Sequence, residues 1–503
     1  MSELERIALA LLLALFYGAF CWYCFSRRRV IAGGAVTHAD VVVAYASQSG
    51  RAHALAAKAC EAFAGRASLC GLNQLTPNEL QKSKTLLIVA STYGEGEAPD
   101  NGALFEKKFI RQAPELSLTD TPFAVVALGD SYYAGFCAFG RRVYSALQRC
   151  DARALADCIE LDASKPEQEH EALTQLQALI KTLGGHFDID TAEDSVVPDR
   201  YRATLHRRQR LNGASPSAPL YSLALNTTDA VNYSAGDIAE VYPLHDAALC
   251  KQRLAVLGLT ADATLELNGQ AIPAWRWLAS RQWPLPEKPA AIPAGQWLKT
   301  LPEEAPRQYT IANAYTPNTL QLVVRQQRNS AGELGLASGW LTERAELGGE
   351  LELAIRDNQE FHTPPADQPL ILIGNGSGIA GLRAHWQHRD DTGGEACWVL
   401  YGERDPGADR PFADELARLQ AKGVIHELDC VYSRAGEHSE YVQQRLLRRG
   451  DLLKNWLGRN ACIYVCGSRV GMGQGVHDAL LELLGEPALD ELQAAGRYRR
   501  DVY

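Results

Sequence analysis

Apolar runs alternate with helical stretches between residues 40 and 189. The runs are rich in Val, Ile, Leu and Ala, as expected of buried strands. The predicted strands are Asp40–Tyr45, Thr85–Ser91, Phe123–Leu128 and Cys158–Leu161, and the predicted helices are Ala52–Ala64 and Phe139–Arg149. This alternation predicts a parallel sheet covered by helices on both faces, with its ligand at the carboxyl ends of the strands.

Two changes of pattern divide the rest of the chain. Residues 191–219 are polar and carry several Pro residues, which predicts a linker. From Leu220 to about Asp367, short alternating runs such as Leu320–Arg325 and Glu350–Ile355 predict an antiparallel barrel. Strand–helix alternation then returns, with predicted strands at Leu370–Ile373, Cys397–Tyr401, Ile425–Val431 and Cys462–Cys466.

An apolar, uncharged stretch, Ile7–Phe25, precedes all of these domains and is followed by Arg27, Arg28 and Arg29. Its length and the positive charge after it predict a signal anchor, rather than a cleaved signal peptide or a buried core helix. We therefore expect a single-pass protein of the bacterial inner membrane with its catalytic domains in the cytoplasm.

The predicted fold class is α/β plus β-barrel. Its parts are an anchor and tether (1–39), a first α/β domain (40–190), a linker (191–219), a barrel with a short insert (220–367) and a second α/β domain (368–503).

Composition narrows the classes of function. The chain has 46% hydrophobic and 22% charged residues, which is ordinary for a globular protein. Its net charge of -10, with no basic stripe, argues against nucleic acid as a partner. The twelve cysteines are scattered, so neither a disulfide framework nor a zinc site is predicted.

Two glycine-rich loops carry the strongest chemical signal. Ser47–Ala52 follows the apolar run Val41–Tyr45, and Gly374–Gly378 follows Leu370–Ile373. In each case a strand, a turn and a predicted helix succeed one another, so backbone N–H groups and a helix N-terminus can bind phosphate. The turns at Tyr93 and Tyr133 add aromatic rings that can stack on a planar cofactor, although turn tyrosines without a ligand are the alternative.

These loops resemble the flavodoxin-like domain of the diflavin reductases, and the resemblance covers nearly all of Asp40–Tyr503. It implies FMN with its phosphate on Ser47–Ala52, its ring between Tyr93 and Tyr133, and Asp162 near the third loop. The implied FMN-binding residues are Ser47, Gln48, Ser49, Gly50, Arg51, Ala52, Ser91, Thr92, Tyr93, Gly94, Leu128, Gly129, Asp130, Tyr133, Phe136 and Asp162.

The downstream part resembles the ferredoxin-reductase-like module of the same family. Its Arg-x-Tyr-Ser motif matches Arg307, Gln308, Tyr309 and Thr310, which implies FAD, and its pyrophosphate turn matches Gly335, Leu336, Ala337 and Ser338. NADPH is implied over NADH, and its binding residues are Gly374, Gly376, Gly378, Arg383, Ser433, Arg434, Tyr441 and Gln443. The family's lysine in the 2′-phosphate segment is Ser439 here, and its helical connecting module is reduced to Asp246–Pro306.

The resemblance also implies the residues around the path of the hydride: Thr310, Cys466, Asp501 and the terminal Tyr503. Their expected role is positioning and charge stabilisation of nicotinamide, not nucleophilic attack.

The leading hypothesis is a membrane-anchored NADPH-dependent diflavin reductase with a haem- or iron-containing electron acceptor. A flavoprotein subunit of an assimilatory sulfite reductase and a ferric-siderophore reductase are the enzymatic alternatives. A flavin-binding scaffold or sensor without catalysis is the alternative from another class.

Overall fold

The computed structural model describes residues 39–47, 50–92, 96–111, 116–131, 135–188, 200–213, 215–267 and 270–503. The chain divides into two compact units after residue 196. The apolar stretch Ile7–Phe25 and most of the predicted tether lie outside the described residues.

The first unit is built on a parallel sheet. Its strands are β1 (Val41–Ala46), β2 (Ala67–Gly71), β3 (Leu86–Ser91), β4 (Pro122–Gly129), β5 (Arg153–Ala154) and β6 (Ile159–Asp162). The order is β2-β1-β3-β4-β5, with β6 also paired to β4, and all pairings are parallel. The predicted parallel sheet is confirmed, and its strand order changes direction between β1 and β3, where doubly wound sheets bind ligands.

Helices cover both faces of this sheet. They are α1 (Arg51–Glu61), α2 (Pro77–Lys82), α3 (Asp100–Phe105, continued by a π-helical turn), α4 (Ala138–Arg149) and α5 (Pro166–Thr182). Phe123 and Phe139 centre the core on one face, and Phe63 and Leu176 centre the core on the other. The two helical layers cover the faces of the sheet but not the carboxyl ends of its strands. The loops after β1, β3, β4 and β6 begin at these ends, where such sheets bind their ligands.

The second unit begins with an antiparallel sheet. Its strands are β7 (Arg200–Arg210), β8 (Leu220–Thr227), β9 (Ile238–Tyr242), the hairpin β10 (Thr264–Leu267) and β11 (Gln270–Pro273), β12 (Arg307–Thr310), β13 (Thr319–Arg325) and β14 (Glu350–Arg356). The main sheet runs β12-β9-β14-β7-β8-β13. A bridge between Ile311 and Leu322 joins the ends of this path, so the sheet closes into a barrel.

The predicted linker, 191–219, is corrected by β7. The strand occupies Arg200–Arg210, and only Ala203 and Leu205 of it are buried. The other side chains of β7 are polar and partly or fully exposed, so the composition of this stretch resembled that of a loop. A strand with one solvated face needs few apolar residues.

The insert Asp246–Pro306 forms a small helical body with its own apolar core. Its helices are α6 (Ala247–Val256), α7 (Ala274–Ala279) and α8 (Ala294–Lys299). Leu254, Leu278 and Trp297 are buried at its centre. That this insert is the remnant of a connecting module stays a prediction.

A second parallel sheet completes the second unit. Its strands are β15 (Leu370–Asn375), β16 (Cys397–Glu403), β17 (Ile425–Tyr432), β18 (Cys462–Gly467) and β19 (Tyr498–Val502), in the order β17-β16-β15-β18-β19. The remaining helices are α9 (Leu336–Gly339), α10 (Ile379–Thr392), α11 (Ala413–Lys422), α12 (Val442–Arg448), α13 (Gly450–Gly458), α14 (Gln474–Leu484) and α15 (Glu486–Ala494). Ala312 and Phe361 pack in one core with Leu382 and Tyr464, which joins the barrel to this sheet.

Candidate functional site

The loop after β1 has the features of a phosphate site. Gly50 has a left-handed conformation (φ 77°) immediately before α1, and Ser47 is 2% exposed. The Ser47 N–H donates to Asn101 Oδ1 at 2.8 Å, but its Oγ, like Arg51 Nε, has no hydrogen-bond partner among the described residues. A buried polar atom without a partner is costly, and phosphate oxygens at a helix N-terminus would satisfy both. The loop therefore fits the phosphate of FMN.

The predicted residues after β3 hold the edge of the first sheet together. Ser91 Oγ donates to the carbonyl of Ala46 at 3.1 Å, and the Thr92 N–H donates to the carbonyl of Leu128 at 3.0 Å. Thr92 Oγ1 also accepts from the N–H of Phe139 at 3.2 Å. These bonds fix the carboxyl ends of β1, β3 and β4 relative to one another. Gln48, Ser49, Tyr93, Gly94 and Tyr133 lie outside the described residues.

Asp162 organises the loop that follows β4. Its carboxylate accepts from the Ser131 N–H at 3.1 Å and from Ser164 Oγ at 2.6 Å. Burial opposes the charged form, but these hydrogen bonds outweigh it and lower the pKa of Asp162. Gly129 lies opposite Asp162 in the sheet, and a Cβ there would lie 2.7 Å from the Cys137 nitrogen. The loop bearing Asp130 and Phe136 therefore packs on a backbone that only glycine allows. Leu128 and Ala52 are buried beneath this edge.

Three of the predicted hydride-path residues meet in the second unit. Register places Cys466 of β18 opposite Asp501 of β19, and the barrel strand β12 ends at Thr310. Thr310 Oγ1 donates to Asp501 Oδ2 at 2.6 Å, and Cys466 Sγ lies 3.7 Å from the same oxygen. The side chains of one barrel strand and two sheet strands thus converge on a single carboxylate.

The protonation state of Cys466 limits its chemistry. The residue is fully buried, and burial, followed by the charge of Asp501, raises the pKa of its thiol well above the ordinary value. The Gly381 N–H donates to its sulfur. A buried thiol with a raised pKa stays protonated near neutral pH and is not a nucleophile. Cys466 can therefore orient a neighbour and donate a weak hydrogen bond.

Tyr503, the last residue of the chain, is held on both sides. Its N–H donates to the Gly467 carbonyl at 3.0 Å, and its own carbonyl accepts from the Arg469 N–H at 2.9 Å. Its hydroxyl donates to Ser377 Oγ at 2.9 Å, although 58% of the residue is exposed. Terminal aromatics usually fray. This one is fixed against the glycine-rich loop that follows β15.

That loop approaches β18 more closely than any side chain would permit. A Cβ on Gly378 would lie 2.1 Å from the Cys466 carbonyl oxygen, and one on Gly374 would lie 2.5 Å from it. Gly376 has a positive φ of 57°, and its carbonyl accepts from Tyr401 Oη at 2.8 Å. The strand order reverses between β15 and β18, so the loop borders the crevice where such sheets bind nucleotides.

The predicted FAD residues lie on the barrel. Burial increases along β12, from exposed Arg307 and Gln308 to buried Thr310. Burial raises the pKa of Tyr309 to about 12, so its phenol stays neutral. Leu336 and Ala337 begin α9. In the turn before that helix, the Gly335 N–H donates to the Gln327 carbonyl at 2.9 Å and Ser338 Oγ accepts from the Gln327 N–H at 3.1 Å. Pyrophosphate binding at this turn stays a prediction.

Arg383 is corrected as a nucleotide ligand. Its guanidinium donates to Glu415 at 2.9 Å, to the Ala312 carbonyl at 2.8 Å and to Gln321 Oε1 at 2.8 Å. It also stacks over the Phe412 ring. With its donors engaged and only 8% of the residue exposed, Arg383 joins α10 to the barrel and to α11. The glycine-rich neighbourhood in the sequence gave no sign of these partners.

The predicted 2′-phosphate segment follows β17 at the carboxyl edge of the second sheet. The N–H groups of Ser433 and Arg434 donate to the carbonyls of Glu403 and Arg404 at 2.9 and 2.8 Å. Arg434 and Arg404 are both exposed. Arg404 escaped the sequence analysis because it follows β16, far from Arg434 along the chain. Tyr441, 56% exposed, precedes α12, and Gln443 in its first turn packs on Gly475.

Two residues that were not among the predicted site residues lie beside the site. Arg325 forms an ion pair with buried Glu403, and a Cβ on Gly376 would lie 3.3 Å from its guanidinium. Gly381, the last glycine of the pattern Gly376-x-Gly378-x-x-Gly381, lies against the hydride-path cluster, since a Cβ there would be 3.0 Å from Cys466 Sγ and 3.2 Å from Thr310 Cγ2.

Comparison with known proteins agrees with this geometry. The flavodoxin family model matches residues 43–175, and the model of the oxidoreductase NAD-binding domain matches residues 372–478. The sulfite reductase [NADPH] flavoprotein alpha-component of Bacillus subtilis is 28% identical, covering 92% of this chain and 89% of its own. The protein of the same name from Vibrio cholerae is 27% identical, covering 100% and 94%.

The predicted membrane localisation is corrected. Over the part of the chain that the structure describes, no helix is long and apolar enough to cross a bilayer. The stretch that suggested an anchor, Ile7–Phe25, lies outside that part. The proteins that match most of the chain carry the name of a sulfite reductase component. Membrane anchoring therefore forms no part of the function argued below.

Proposed function

Because the chain belongs to the diflavin reductase family, we propose that it is the flavoprotein component of a sulfite-reductase-type system. In this role it is an NADPH-dependent oxidoreductase with FAD and FMN whose electron acceptor is a haemoprotein partner. The observation that carries the proposal is the convergence of Thr310, Cys466 and Asp501 in one unit, while a separate phosphate loop with an unsatisfied Ser47 lies in the other.

The bound groups would supply the redox chemistry, which is hydride transfer between nicotinamide and FAD and single-electron transfer through FMN. The chain supplies positions and charges. The Asp501 carboxylate accepts from Thr310 Oγ1 and lies 3.7 Å from Cys466 Sγ, so it can orient both of their protons. A fixed carboxylate can stabilise positive charge that develops on a nicotinamide ring. Tyr503 covers the neighbouring glycine-rich loop, so we propose that it moves aside when the nicotinamide enters.

Several predicted ligand groups enter the proposal as holders of cofactor. Ser47, Gly50 and Arg51 would hold the FMN phosphate, and Asp162 would support the loop at its ring. Tyr309 would stack on FAD, with the turn Gly335–Ser338 at its pyrophosphate. Exposed Arg434, with Ser433, would hold the 2′-phosphate of NADPH.

Flavin extraction is expected to give equal amounts of FAD and FMN from the purified chain. Anaerobic NADPH is expected to reduce both flavins, and the loaded protein is expected to reduce cytochrome c. The partner is tested by copurification: a haemoprotein that accepts electrons from NADPH only when this chain is present supports the sulfite-reductase role. A chain with FAD but no FMN, or without NADPH-dependent reduction of cytochrome c, would falsify the proposal.

Replacing Arg434 by Ala is expected to raise the KM for NADPH about 10-fold and to leave the KM for NADH unchanged. Arginine forms paired, charge-assisted hydrogen bonds with phosphate, and NADH lacks the 2′-phosphate. Steady-state kinetics with both nucleotides and ferricyanide measure the effect. Arg459→Ala is the matched control. Arg459 is also an exposed arginine, but it lies just before the amino end of β18 and pairs with Glu395. Equal losses with NADPH and NADH would contradict the assignment.

A further inference from the structure

His362 joins the barrel to the second parallel sheet, because its imidazole contacts the barrel and its backbone carbonyl contacts the sheet. Its Nε2 lies 2.6 Å from Asp237 Oδ1 and 3.2 Å from Asp357 Oδ1. Its carbonyl accepts from Tyr464 Oη at 2.5 Å and from Arg499 Nη1 at 3.1 Å. Asp237 comes directly before β9 of the barrel, whereas Tyr464 and Arg499 belong to β18 and β19.

Three of the partners of His362, namely Asp237, Tyr464 and Arg499, are linked to the hydride-path cluster by a backbone hydrogen bond or by their place on the same strand. The Asp237 carbonyl accepts from the N–H of Ile311 at 2.9 Å, and Ile311 follows Thr310. On the sheet, Tyr464 precedes Cys466 by two residues and Arg499 precedes Asp501 by two. Residues two apart on a strand lie on the same face. His362 therefore connects the three backbone segments whose side chains meet at Asp501.

Two carboxylates face the imidazole, and two further titratable side chains bind the backbone of the same residue. Asp237 and Asp357 of the barrel contact the ring, whereas Arg499 and Tyr464 of the sheet donate to the His362 carbonyl. His385 of α10 is close enough to interact, and burial lowers its pKa well below the ordinary value, so it is neutral. Burial opposes a charge on His362, but hydrogen bonds to the two aspartates outweigh it and raise its pKa to about 9.

The side chains of Asp237, Asp357 and His362 also lie close enough to one another to hold a cation. However, Asp237 Oδ1 also accepts from the Asn358 N–H at 2.9 Å, and its Oδ2 accepts from the Ser234 N–H at 2.7 Å. The Asp237 carboxylate, 4% exposed, is thus already satisfied by three donors. An imidazolium that donates to Asp237 accounts for this geometry, and a metal ion would have to displace it.

We propose that His362, as an imidazolium paired with Asp237, is a positioning residue for the oxidation of NADPH. It fixes the barrel strand that carries Thr310 against the sheet strands that carry Cys466 and Asp501. This inference rests on the proposed function. When the imidazolium loses its proton, the pairing with Asp237 weakens and Thr310 is held less firmly at Asp501. Misplacement by a fraction of an ångström at a reacting centre lowers the rate without weakening binding elsewhere.

The test compares H362Q and H362R with the wild type in NADPH–ferricyanide kinetics from pH 6.5 to 10. H362Q is expected to lower kcat about 10-fold with KM for NADPH within about twofold, since Arg434 follows β17, which is separated from β18 by β16 and β15. H362R keeps a positive donor, so its kcat is expected within about threefold of the wild type. The wild-type kcat is expected to decline as pH rises through about 9, and this decline is expected to be absent in H362R. The matched control is H426Q, an exposed histidine of β17.

A second readout needs no bound flavin or nucleotide. The folded-state pKa of His362, about 9, lies above its ordinary value of 6.5. Its contribution to stability is therefore complete below about pH 6.5 and is lost as pH rises through 9. The melting temperature of flavin-depleted wild type should fall across this window, and that step should be absent in H362R.

The outcomes separate the two proposals. Wild type that shows the melting step but no NADPH turnover defeats the proposed function and leaves the ion pair standing. If the wild type is active and H362Q has the same kinetic constants and the same pH profile as the wild type, the positioning role is overturned. If H362Q does not fold, H362R decides: a decline near pH 9 that persists in H362R rejects the inference, and a flat profile supports it.

Discussion

Replacing Asp501 by Asn is expected to slow NADPH-dependent reduction of ferricyanide about 100-fold. The amide has the size of the carboxylate and can still accept from Thr310, but it carries no charge. Removing one preorganised electrostatic group from a buried site typically costs two to three orders of magnitude in rate. Asp501 belongs to β19 of the second unit and is not among the predicted flavin-binding residues, so FAD and FMN contents should not change.

The measurement is stopped-flow reduction of the bound FAD by NADPH, with flavin content determined on the same sample. Asp451→Asn is the matched control, since Asp451 is exposed in the first turn of α13. Full flavin occupancy with a rate within threefold of the wild type would show that the negative charge of Asp501 has no part in the reaction.

A double-mutant cycle with Thr310→Val sharpens this result. The Thr310 hydroxyl donates to Asp501 at 2.6 Å, so its contribution passes through that carboxylate. Thr310→Val alone is expected to cost about 10-fold, because it removes the hydroxyl that donates to Asp501 Oδ2 at 2.6 Å. Added to Asp501→Asn, the same change should cost much less than 10-fold, since interacting groups are not additive. Independent, multiplying effects would contradict the cluster.

The sequence was most informative where chemistry depends on backbone shape. Gly374 and Gly378 were predicted from their spacing, and each proves to allow an approach to the Cys466 carbonyl that a Cβ would block. Strand positions such as Cys462–Cys466 were predicted because fully buried strands are continuous apolar runs. Both patterns are local in the sequence, so they can be recognised without knowledge of the fold.

The failures involve partners far apart along the chain. Arg383 was predicted to bind NADPH, but its guanidinium donates to Gln321 and Glu415, which no local pattern brings together. His362 stood outside every motif, although it lies between Asp237 and Arg499. The strand β7 was hidden because only two of its residues face the core. Tertiary structure decides such cases, and single-sequence patterns do not contain it.

Replacing Ser47 by Ala is expected to separate the two flavin sites. If Ser47 Oγ binds the FMN phosphate, its loss removes one charge-assisted hydrogen bond, and the affinity for FMN should fall about 10- to 100-fold. The purified variant should therefore retain FAD and lose FMN. Reduction of cytochrome c should fall in proportion to FMN content, whereas reduction of ferricyanide, which can draw on FAD, should stay near the wild-type rate.

A structural role for Ser47 predicts a destabilised variant, whereas the FMN-binding role predicts no loss of stability without flavin. Ser47 Oγ is buried and has no hydrogen-bond partner among the described residues. Removing an unsatisfied buried hydroxyl does not destabilise a protein, and it can stabilise it by up to about 1 kcal/mol. The melting temperature of the flavin-depleted variant should thus equal or exceed that of the wild type, although its flavin-loaded form binds FMN less well.

Ser68→Ala is the matched control for this experiment. Ser68 Oγ is also without a hydrogen-bond partner among the described residues, but Ser68 pairs with Val42, near the amino end of β1. Ser47 is the fifth residue after Val42, a distance of roughly 16 Å along an extended strand. An unsatisfied hydroxyl there should have no effect on FMN. Loss of FMN from both variants would mean that the unit tolerates neither change, and full retention by Ser47→Ala would place the phosphate elsewhere. If excess FMN restores cytochrome c reduction by Ser47→Ala, and Ser68→Ala reduces cytochrome c without added FMN, the Ser47 hydroxyl belongs to the phosphate site.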